Sequence, residues 1–118
     1  MVADSLKMRN SDKMRKIFAE NLYNLLTRKN MTLDELKENI TNIGYEDVVV
    51  FENPDYADAC VGISHDNRAI YDFNKMVECL VRDDNMTEED AVEFIEYNTV
   101  RALPYIENSP IILYNLEQ

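Results

Sequence analysis

Glycine and proline, the residues that most often interrupt helices and strands, are scarce in this chain. Its 118 residues include two glycines and three prolines, and 46% of them are hydrophobic. Such a composition excludes a disordered tail and is sufficient for one compact domain, or for a small domain with an appended pair of helices. The longest hydrophobic runs, 48–51 and 111–114, are far below the ~18–20 residues that span a bilayer. The N-terminus also lacks the apolar core of a signal peptide, so we expect a protein of the bacterial cytosol.

Cysteine and histidine are equally scarce, with Cys60, Cys79 and the single His65. The two cysteines lack zinc-site spacing, and the cytosol disfavours disulfides, so we expect free thiols. A nucleophilic site would need a cysteine or hydroxyl beside His65, and a set of Cys60, His65 and Asp66 could be imagined at a strand and its turn. Ordinary turn chemistry accounts for His65 and Asp66 without a substrate, and no glycine-rich loop offers oxyanion donors. We therefore predict that the chain is not an enzyme.

Basic residues are rare beyond residue 31. Residues 1–31 contain seven Lys or Arg and three Asp or Glu, whereas residues 32–118 contain five and twenty, for a net charge of −11 overall. A surface this acidic repels phosphate and attracts basic surfaces. The charge therefore disfavours nucleic acid as a partner of the acidic part. It favours a basic host protein that normally binds nucleic acid.

The first third of the chain has the hydrophobic period of helices. Apolar residues at steps of three and four predict an amphipathic helix over 12–29. Thr32 and Glu35 have the spacing of a capping box, which predicts the start of a second helix. Its apolar face contains Leu33, Leu36 and Ile40. Residues 1–44 are thus expected to form an N-terminal helical hairpin.

The hydrophobic period becomes that of strands farther along the chain. The β-branched stretch 46–51 predicts a strand, 57–73 predicts a β-hairpin, and the residues after Pro110 predict a final strand. Asn74 is the expected cap of a helix that ends near residue 83. We expect residues 45–118 to form an acidic α+β domain, so that the whole fold is α+β, an N-terminal α-hairpin followed by a small, mostly antiparallel sheet packed against two helices.

The last predicted helix begins with Thr87, which caps it together with Asp90, and ends at Pro104. On an α-helical wheel Asn98 falls on its apolar stripe, so we expect Asn98 and Arg101 to be structural polar anchors. Three tyrosines are candidates for either core packing or an interface. They are Tyr97, Tyr105 and Tyr114.

The stretch FAENLYNLLTRKNMTLDELKENI (18–40) resembles the first two helices of phage-repressor helix-turn-helix domains of the lambda and Cro type. This resemblance implies an arm that contacts DNA, with Arg15, Lys16, Arg28 and Lys29 as its nucleic-acid-binding residues. The sequence departs from the pattern after residue 40, where acidic, strand-like residues replace the recognition helix. Two alternatives stay open: a truncated operator-binding arm, or a structural hairpin packed on the domain.

Residues 55–114 are similar as a whole to a family of small proteins from bacteriophages, prophages and gut-type Firmicutes that has no assigned activity. The stretches TEEDAVEFIEYNTVRALPY (87–105) and PIILY (110–114) carry the resemblance. It implies a phage or mobile-element origin. Small acidic phage proteins with partial repressor-like helices are similar, as a class, to anti-CRISPR proteins and other inhibitors of host defence.

Acidic residues are dense in the segment DDNMTEED (83–90) and continue along the helix that follows. Two EF-hand registers fail here, because neither has Gly at the sixth position or Glu at the twelfth, and we expect no metal or cofactor. The helix dipole explains acids in the first turn, but not the stripe of Glu89, Glu93 and Glu96 at i, i+4 and i+7, where like charges repel. We predict a partner-binding surface made of Asp83, Asp84, Glu88, Glu89, Glu93 and Glu96.

These observations favour an inhibitor that binds a nucleic-acid-handling host defence protein, such as a CRISPR effector nuclease, by presenting an acidic surface that mimics nucleic acid. Two alternatives come from other classes. One is a DNA-binding or autoregulatory protein that uses the basic N-terminal helices. The other is a phage structural or assembly protein whose acidity serves solubility.

Overall fold

The computed structural model of the protein describes residues 30–116, and residues 31–116 belong to one compact unit. Helix α1 (Leu33–Asn42) comes first, and a 3₁₀ turn (Ala57–Ala59) leads into strands β1 (Cys60–Ile63) and β2 (Ala69–Asp72). Helix α2 (Phe73–Asp84), helix α3 and strand β3 (Ile111–Leu113) follow. Helix α3 has three continuous parts, an α part (Glu88–Phe94), a π part (Ile95–Thr99) and a 3₁₀ part (Val100–Tyr105).

The α+β class is confirmed by this arrangement of helices around a small sheet. The helix predicted over 12–29 lies outside the described residues, and so do Arg15, Lys16, Arg28 and Lys29. The boundary predicted between residues 44 and 45 stays a prediction for the same reason. None of the helices within residues 30–116 combines the length and the hydrophobicity needed to cross a bilayer.

The sheet has the order β1-β2-β3, with β2 in the centre. Strands β1 and β2 form the predicted antiparallel hairpin, whereas β2 and β3 are parallel, with Ile70 opposite Ile111. The expectation of a mostly antiparallel sheet is therefore wrong. Helices α2 and α3 lie between β2 and β3 in the chain, and a helical crossover of this length returns the chain in the same direction.

The stretch 46–51 is not a strand, contrary to the prediction. Asp47 has a left-handed backbone (φ 59°), and residues 48–51 are irregular and half-buried. The Phe51 amide donates to the Tyr71 hydroxyl at 3.2 Å, so a side chain takes the place of a neighbouring strand. β-branched residues are favoured at half-buried positions in general. Here Val48 and Val50 are half-buried because they pack against the core, not because they belong to a strand.

The helix caps follow the local sequence rules with one correction. The Thr32 hydroxyl accepts a hydrogen bond from the Glu35 amide at 3.2 Å, and the Thr87 hydroxyl accepts one from the Asp90 amide at 3.1 Å, as predicted. Helix α2, however, is capped by Asp72 and not by Asn74, because a carboxylate oxygen of Asp72 accepts from the amide three residues on at 3.0 Å.

The core of the described residues consists of two adjoining groups of buried side chains. The larger lies between the sheet and helices α2 and α3, and its members include Tyr56, Ala69, Tyr71, Met76, Leu80, Ala91 and Ile95. The smaller joins Leu36 and Ile40 of α1 to Ala57. Val48 and Val50 pack against both groups, so the irregular stretch 48–51 connects α1 to the rest of the fold.

The π part of α3 changes which residues face the core. The Val100 amide donates to the Ile95 carbonyl, five residues back, so each residue in this turn advances through a smaller angle than in an α-helix. As a result Thr99 is buried and Asn98 is exposed. The expectation of Asn98 on the apolar stripe is therefore wrong. The side-chain Nδ2 of Asn98 instead donates to the Phe94 carbonyl at 3.1 Å, one turn back.

Candidate partner-binding site

All six predicted partner-binding carboxylates are exposed, two at the end of α2 and four on α3. One of the six negative charges is offset within the fold. Asp83 is paired with Arg82, whose Nε and Nη2 lie 2.8 and 3.0 Å from the two carboxylate oxygens. This pairing lowers the pKa of Asp83, mainly through the hydrogen bonds, and raises the pKa of Arg82. The other five form no ion pair with any described residue.

Arg82 also holds Asp58, at 2.9 Å between Nη2 and Oδ2. The other oxygen of Asp58 accepts a hydrogen bond from the Met31 amide at 2.6 Å. One guanidinium therefore joins the C-terminal end of α2 to the 3₁₀ turn and, through Asp58, to Met31, two residues before α1. Arg82 is consequently occupied within the fold, and its charge is offset by two carboxylates.

The predicted stripe of Glu89, Glu93 and Glu96 lies on the solvent-facing side of α3. The opposite side of the same helix is formed by Ala91 and Ile95, both fully buried. An amphipathic helix of this kind keeps one orientation, since rotating it would expose the buried side. The fold therefore holds the three glutamates toward solvent across the junction of the α and π parts.

A groove with a volume of about 670 Å³ runs between α2 and the start of α3. Its apolar lining comes from Phe73, Val77 and Val81 of α2 and from Val92 of α3. Sequence reasoning missed this groove. Its signal was present in the i, i+4, i+8 spacing of the three α2 residues, but that spacing is also what a fully covered helix face shows.

Carboxylates and an aromatic pair border the groove. Glu78 and Glu88 line it, and Glu88 belongs to the predicted acidic surface. At the N-terminal end of α2, the ring of Tyr114 lies 5.0 Å from that of Phe73. Partial burial and the nearby Glu96 raise the pKa of Tyr114. The acidic side of α3 and the groove are therefore neighbouring parts of one surface.

The three candidate interface tyrosines are all exposed: Tyr97, Tyr105 and Tyr114. Arg101, also exposed, lies over the Tyr97 ring with its guanidinium carbon 5.3 Å from the ring centre. This cation–π contact gives Arg101 an attractive partner on an acidic helix, where it has no carboxylate partner within residues 30–116. Among the described residues the polar anchor of the helix is Thr99 rather than Asn98.

The imagined nucleophilic set is not assembled as a catalytic site. The Cys60 thiol is 3.9 Å from the Gly62 carbonyl oxygen, and burial raises its pKa. His65 is exposed in the hairpin turn, where Asp66 instead accepts a hydrogen bond from the Ser64 hydroxyl. A thiol with a raised pKa is a poor nucleophile at neutral pH. That Cys60 and Cys79 are free thiols is confirmed.

Within residues 30–116, no group of three or more His, Cys, Asp or Glu side chains is arranged to hold a metal ion. Comparison of the chain with models of known protein families, with curated proteins and with solved structures gives no match. The resemblances to phage proteins and to repressor helices therefore stay predictions. The site has to be interpreted from its own geometry and charge.

Proposed function

We propose that the protein is an inhibitor that binds a basic, nucleic-acid-handling host defence protein and occupies the surface on which that protein binds nucleic acid. The observation that carries this proposal is the solvent-facing stripe of Glu89, Glu93 and Glu96, which has no ion-pair partner among the described residues. A helix that bears such a stripe is destabilised by its own like charges, by a few tenths of a kcal/mol per pair. A basic partner would remove that cost.

The spacing of the stripe suits lysine and arginine sites that otherwise hold phosphates. Side chains three and four residues apart on a helix stand roughly 5–6 Å from one another, and each carboxylate accepts charge-assisted hydrogen bonds as a phosphate does. Association driven by such charges is fast and is weakened by salt. The resemblance to phage proteins makes a bacterial defence protein, such as a CRISPR effector nuclease, the first partner to test.

The proposal is tested by affinity capture from a bacterial lysate with the whole chain as bait, followed by mass spectrometry. The triple variant Glu89→Lys, Glu93→Lys and Glu96→Lys is expected to bind the captured partner about tenfold or more weakly than the natural chain, because each reversal replaces attraction by repulsion. A DNA oligonucleotide should displace the natural chain from the same partner. Circular dichroism confirms that the triple variant is folded.

A second triple variant controls for net charge. It reverses the charge of three exposed glutamates elsewhere, in Glu38→Lys, Glu46→Lys and Glu107→Lys, and so changes the net charge by the same amount. This control variant is expected to bind the partner as the natural chain does. Equal capture by the stripe variant and the natural chain would rule out the proposed surface. A shift of operator DNA fragments by the natural chain in a gel at moderate salt would favour the DNA-binding alternative instead.

A further inference from the structure

The groove between α2 and α3 has an apolar floor that the described residues cover only in part, since Val81 is exposed and Phe73 is half-buried, while Val77 is buried at its base. Phe73, Val77 and Val81 follow one line along α2, and at 1.5 Å per residue this line is about 12 Å long. Val81 is 39% exposed, which is high for a valine at an apolar helix position. A floor of this length matches about two turns of another helix.

The border of the groove is acidic. Glu78 on α2 and Glu88 on α3 form no ion pair with any described residue, so both charges are available to a ligand. Arg82 is the one basic residue of the lining, and Asp58 and Asp83 already hold its guanidinium. An apolar floor between carboxylates is complementary to an apolar stripe between lysines or arginines.

Charge excludes several other occupants. Anionic lipid head groups and nucleic acid would be repelled by a chain with a net charge of −11. A second copy of this acidic domain would bring carboxylates against carboxylates, since residues 32–118 contain twenty acidic and five basic side chains. A helix laid in a groove between two helices is a common mode of peptide recognition, and its anchors recur at i, i+4 and i+7.

We propose that this groove binds one cationic amphipathic helix of the partner protein. The apolar residues of that helix rest on Phe73, Val77 and Val81, and its lysines or arginines lie beside Glu78 and Glu88. The inference rests on the proposed function and extends it, because it names the part of the basic partner that the protein holds. The stripe on α3 then contacts the rest of the basic surface.

The test uses a synthetic 18-residue helical peptide of leucine and lysine with its leucines on one face, and isothermal titration calorimetry as the measurement. The natural chain is expected to bind this peptide, and to bind a scrambled peptide of the same composition at least about tenfold more weakly. Val81→Lys places a charge on the apolar floor and should reduce affinity for the amphipathic peptide at least tenfold. Equal binding of the two peptides would overturn the proposal.

Val61→Lys is the matched control, because Val61 is 46% exposed and lies on β1, outside the groove lining. It should bind the amphipathic peptide almost as tightly as the natural chain does, because its lysine lies outside the groove. Both lysine variants change the net charge equally, so a difference between them reports the groove itself. Equal losses in Val61→Lys and Val81→Lys would also overturn the proposal. Should Val81→Lys not fold, the exposed Glu78→Lys, with Glu38→Lys as its control, carries the same test.

Failure of this proposal is distinguishable from failure of the proposed function. If Val81→Lys binds the peptide as tightly as the natural chain does, the groove proposal is wrong, whatever the lysate capture shows. If peptide binding depends on Val81 but partner capture is unaffected by the Glu89, Glu93 and Glu96 reversals, the groove proposal stands. The acidic stripe is then not the partner-binding surface.

Discussion

Tyr56 is a buried residue with a left-handed backbone. Its backbone is left-handed (φ 48°), a conformation that costs energy for a bulky side chain, and yet the residue is 2% exposed. The surrounding contacts hold it there. Its ring packs edge-on against Phe51 at 5.7 Å, and its hydroxyl is 3.2 Å from the Thr99 hydroxyl. Because Thr99 ends the π part of α3, this bond fixes the turn that orients the acidic stripe.

Removal of the Tyr56 hydroxyl is expected to destabilise the fold. Tyr56→Phe leaves the buried Thr99 hydroxyl without its partner, and an unsatisfied buried polar group costs about 1–3 kcal/mol. Urea unfolding followed by circular dichroism measures the change in the free energy of unfolding. The double variant Tyr56→Phe, Thr99→Val should recover part of the loss because no polar atom is then left unpaired. A loss no larger than that of Tyr105→Phe, at a residue that is 89% exposed, would contradict this account.

At the scale of single elements, the junction of β2 and α2 depends on one buried carboxylate. Asp72 ends the central strand, is 5% exposed, and caps the helix that forms one wall of the groove. Asp72→Ala is expected to reduce the free energy of unfolding by about 0.5–2 kcal/mol, the usual cost of losing a helix cap. Thermal and urea unfolding would measure it.

Two other substitutions make this prediction specific. Asp72→Asn keeps an oxygen that can accept from the Lys75 amide and should retain most of the stability. Asn74→Ala removes the cap expected from the sequence and should change the free energy of unfolding by less than about 0.5 kcal/mol, since Asn74 is an exposed residue in the first turn of a helix that Asp72 caps. A larger effect at Asn74 than at Asp72 would show that the helix begins two residues later.

The elements that the sequence predicts correctly are those set by neighbouring residues. Thr32 and Thr87 cap their helices through an amide three residues away, and the hairpin turn follows from a short polar segment. The prediction of a strand at 46–51 was wrong because the partner of Phe51 is Tyr71, twenty residues away. Tyr71 accepts a hydrogen bond from the Phe51 amide with its side-chain hydroxyl and not with the backbone of a neighbouring strand. The π turn could not be predicted either, because the hydrogen bond from the Val100 amide to the Ile95 carbonyl, which turns Asn98 outward, has no signature in the sequence.

The candidate site divides in the same way. The exposed stripe on α3 could be predicted because a single helix carries all three glutamates, and their spacing alone places them on one side. The groove could not be predicted, since it depends on how α2 and α3 pack and on how far that packing covers Phe73, Val77 and Val81. The pairing of Asp83 with Arg82 was equally inaccessible. Arg82 could have paired with any of several acids, and the fold brings Asp58 to it from twenty-four residues away.

Across the whole described part of the chain, the few basic side chains are already engaged. Lys37 pairs with Glu52, Arg68 with Asp66, and Arg82 with two aspartates, while Arg101 lies on Tyr97. Of the five basic residues in 32–118, only Lys75 has no such contact with another described residue. Most of the twenty acidic side chains of that range therefore face solvent uncompensated by described residues. This excess is the physical basis on which a basic partner is proposed.

A buried thiol and two buried phenol groups in the core make the stability of the whole molecule sensitive to alkaline pH. Burial raises the pKa of Cys79 from 9.0 to about 11, and it also raises the pKa values of Tyr56 and Tyr71. The unfolded chain releases the Cys79 proton first as pH rises, so between about pH 9 and pH 11 it binds fewer protons than the folded chain, and stability falls as pH increases. For Cys79 alone the loss is about 2–3 kcal/mol by about pH 11, and from about pH 10, where unfolded tyrosines ionise, Tyr56 and Tyr71 add to it.

Urea unfolding at intervals from pH 7.5 to pH 10.5 is expected to show this decline, and Cys79→Ala should separate the thiol from other effects of high pH. The substitution lowers stability at every pH because it leaves a small cavity, but it removes the group whose ionisation is coupled to unfolding. The slope of the free energy of unfolding against pH between pH 9 and pH 10.5 should therefore be shallower in Cys79→Ala than in the natural chain. General repulsion among the carboxylates is the same in both chains and cancels in the comparison. Parallel slopes would mean that Cys79 ionises as readily in the folded protein as in the unfolded one, contrary to its burial.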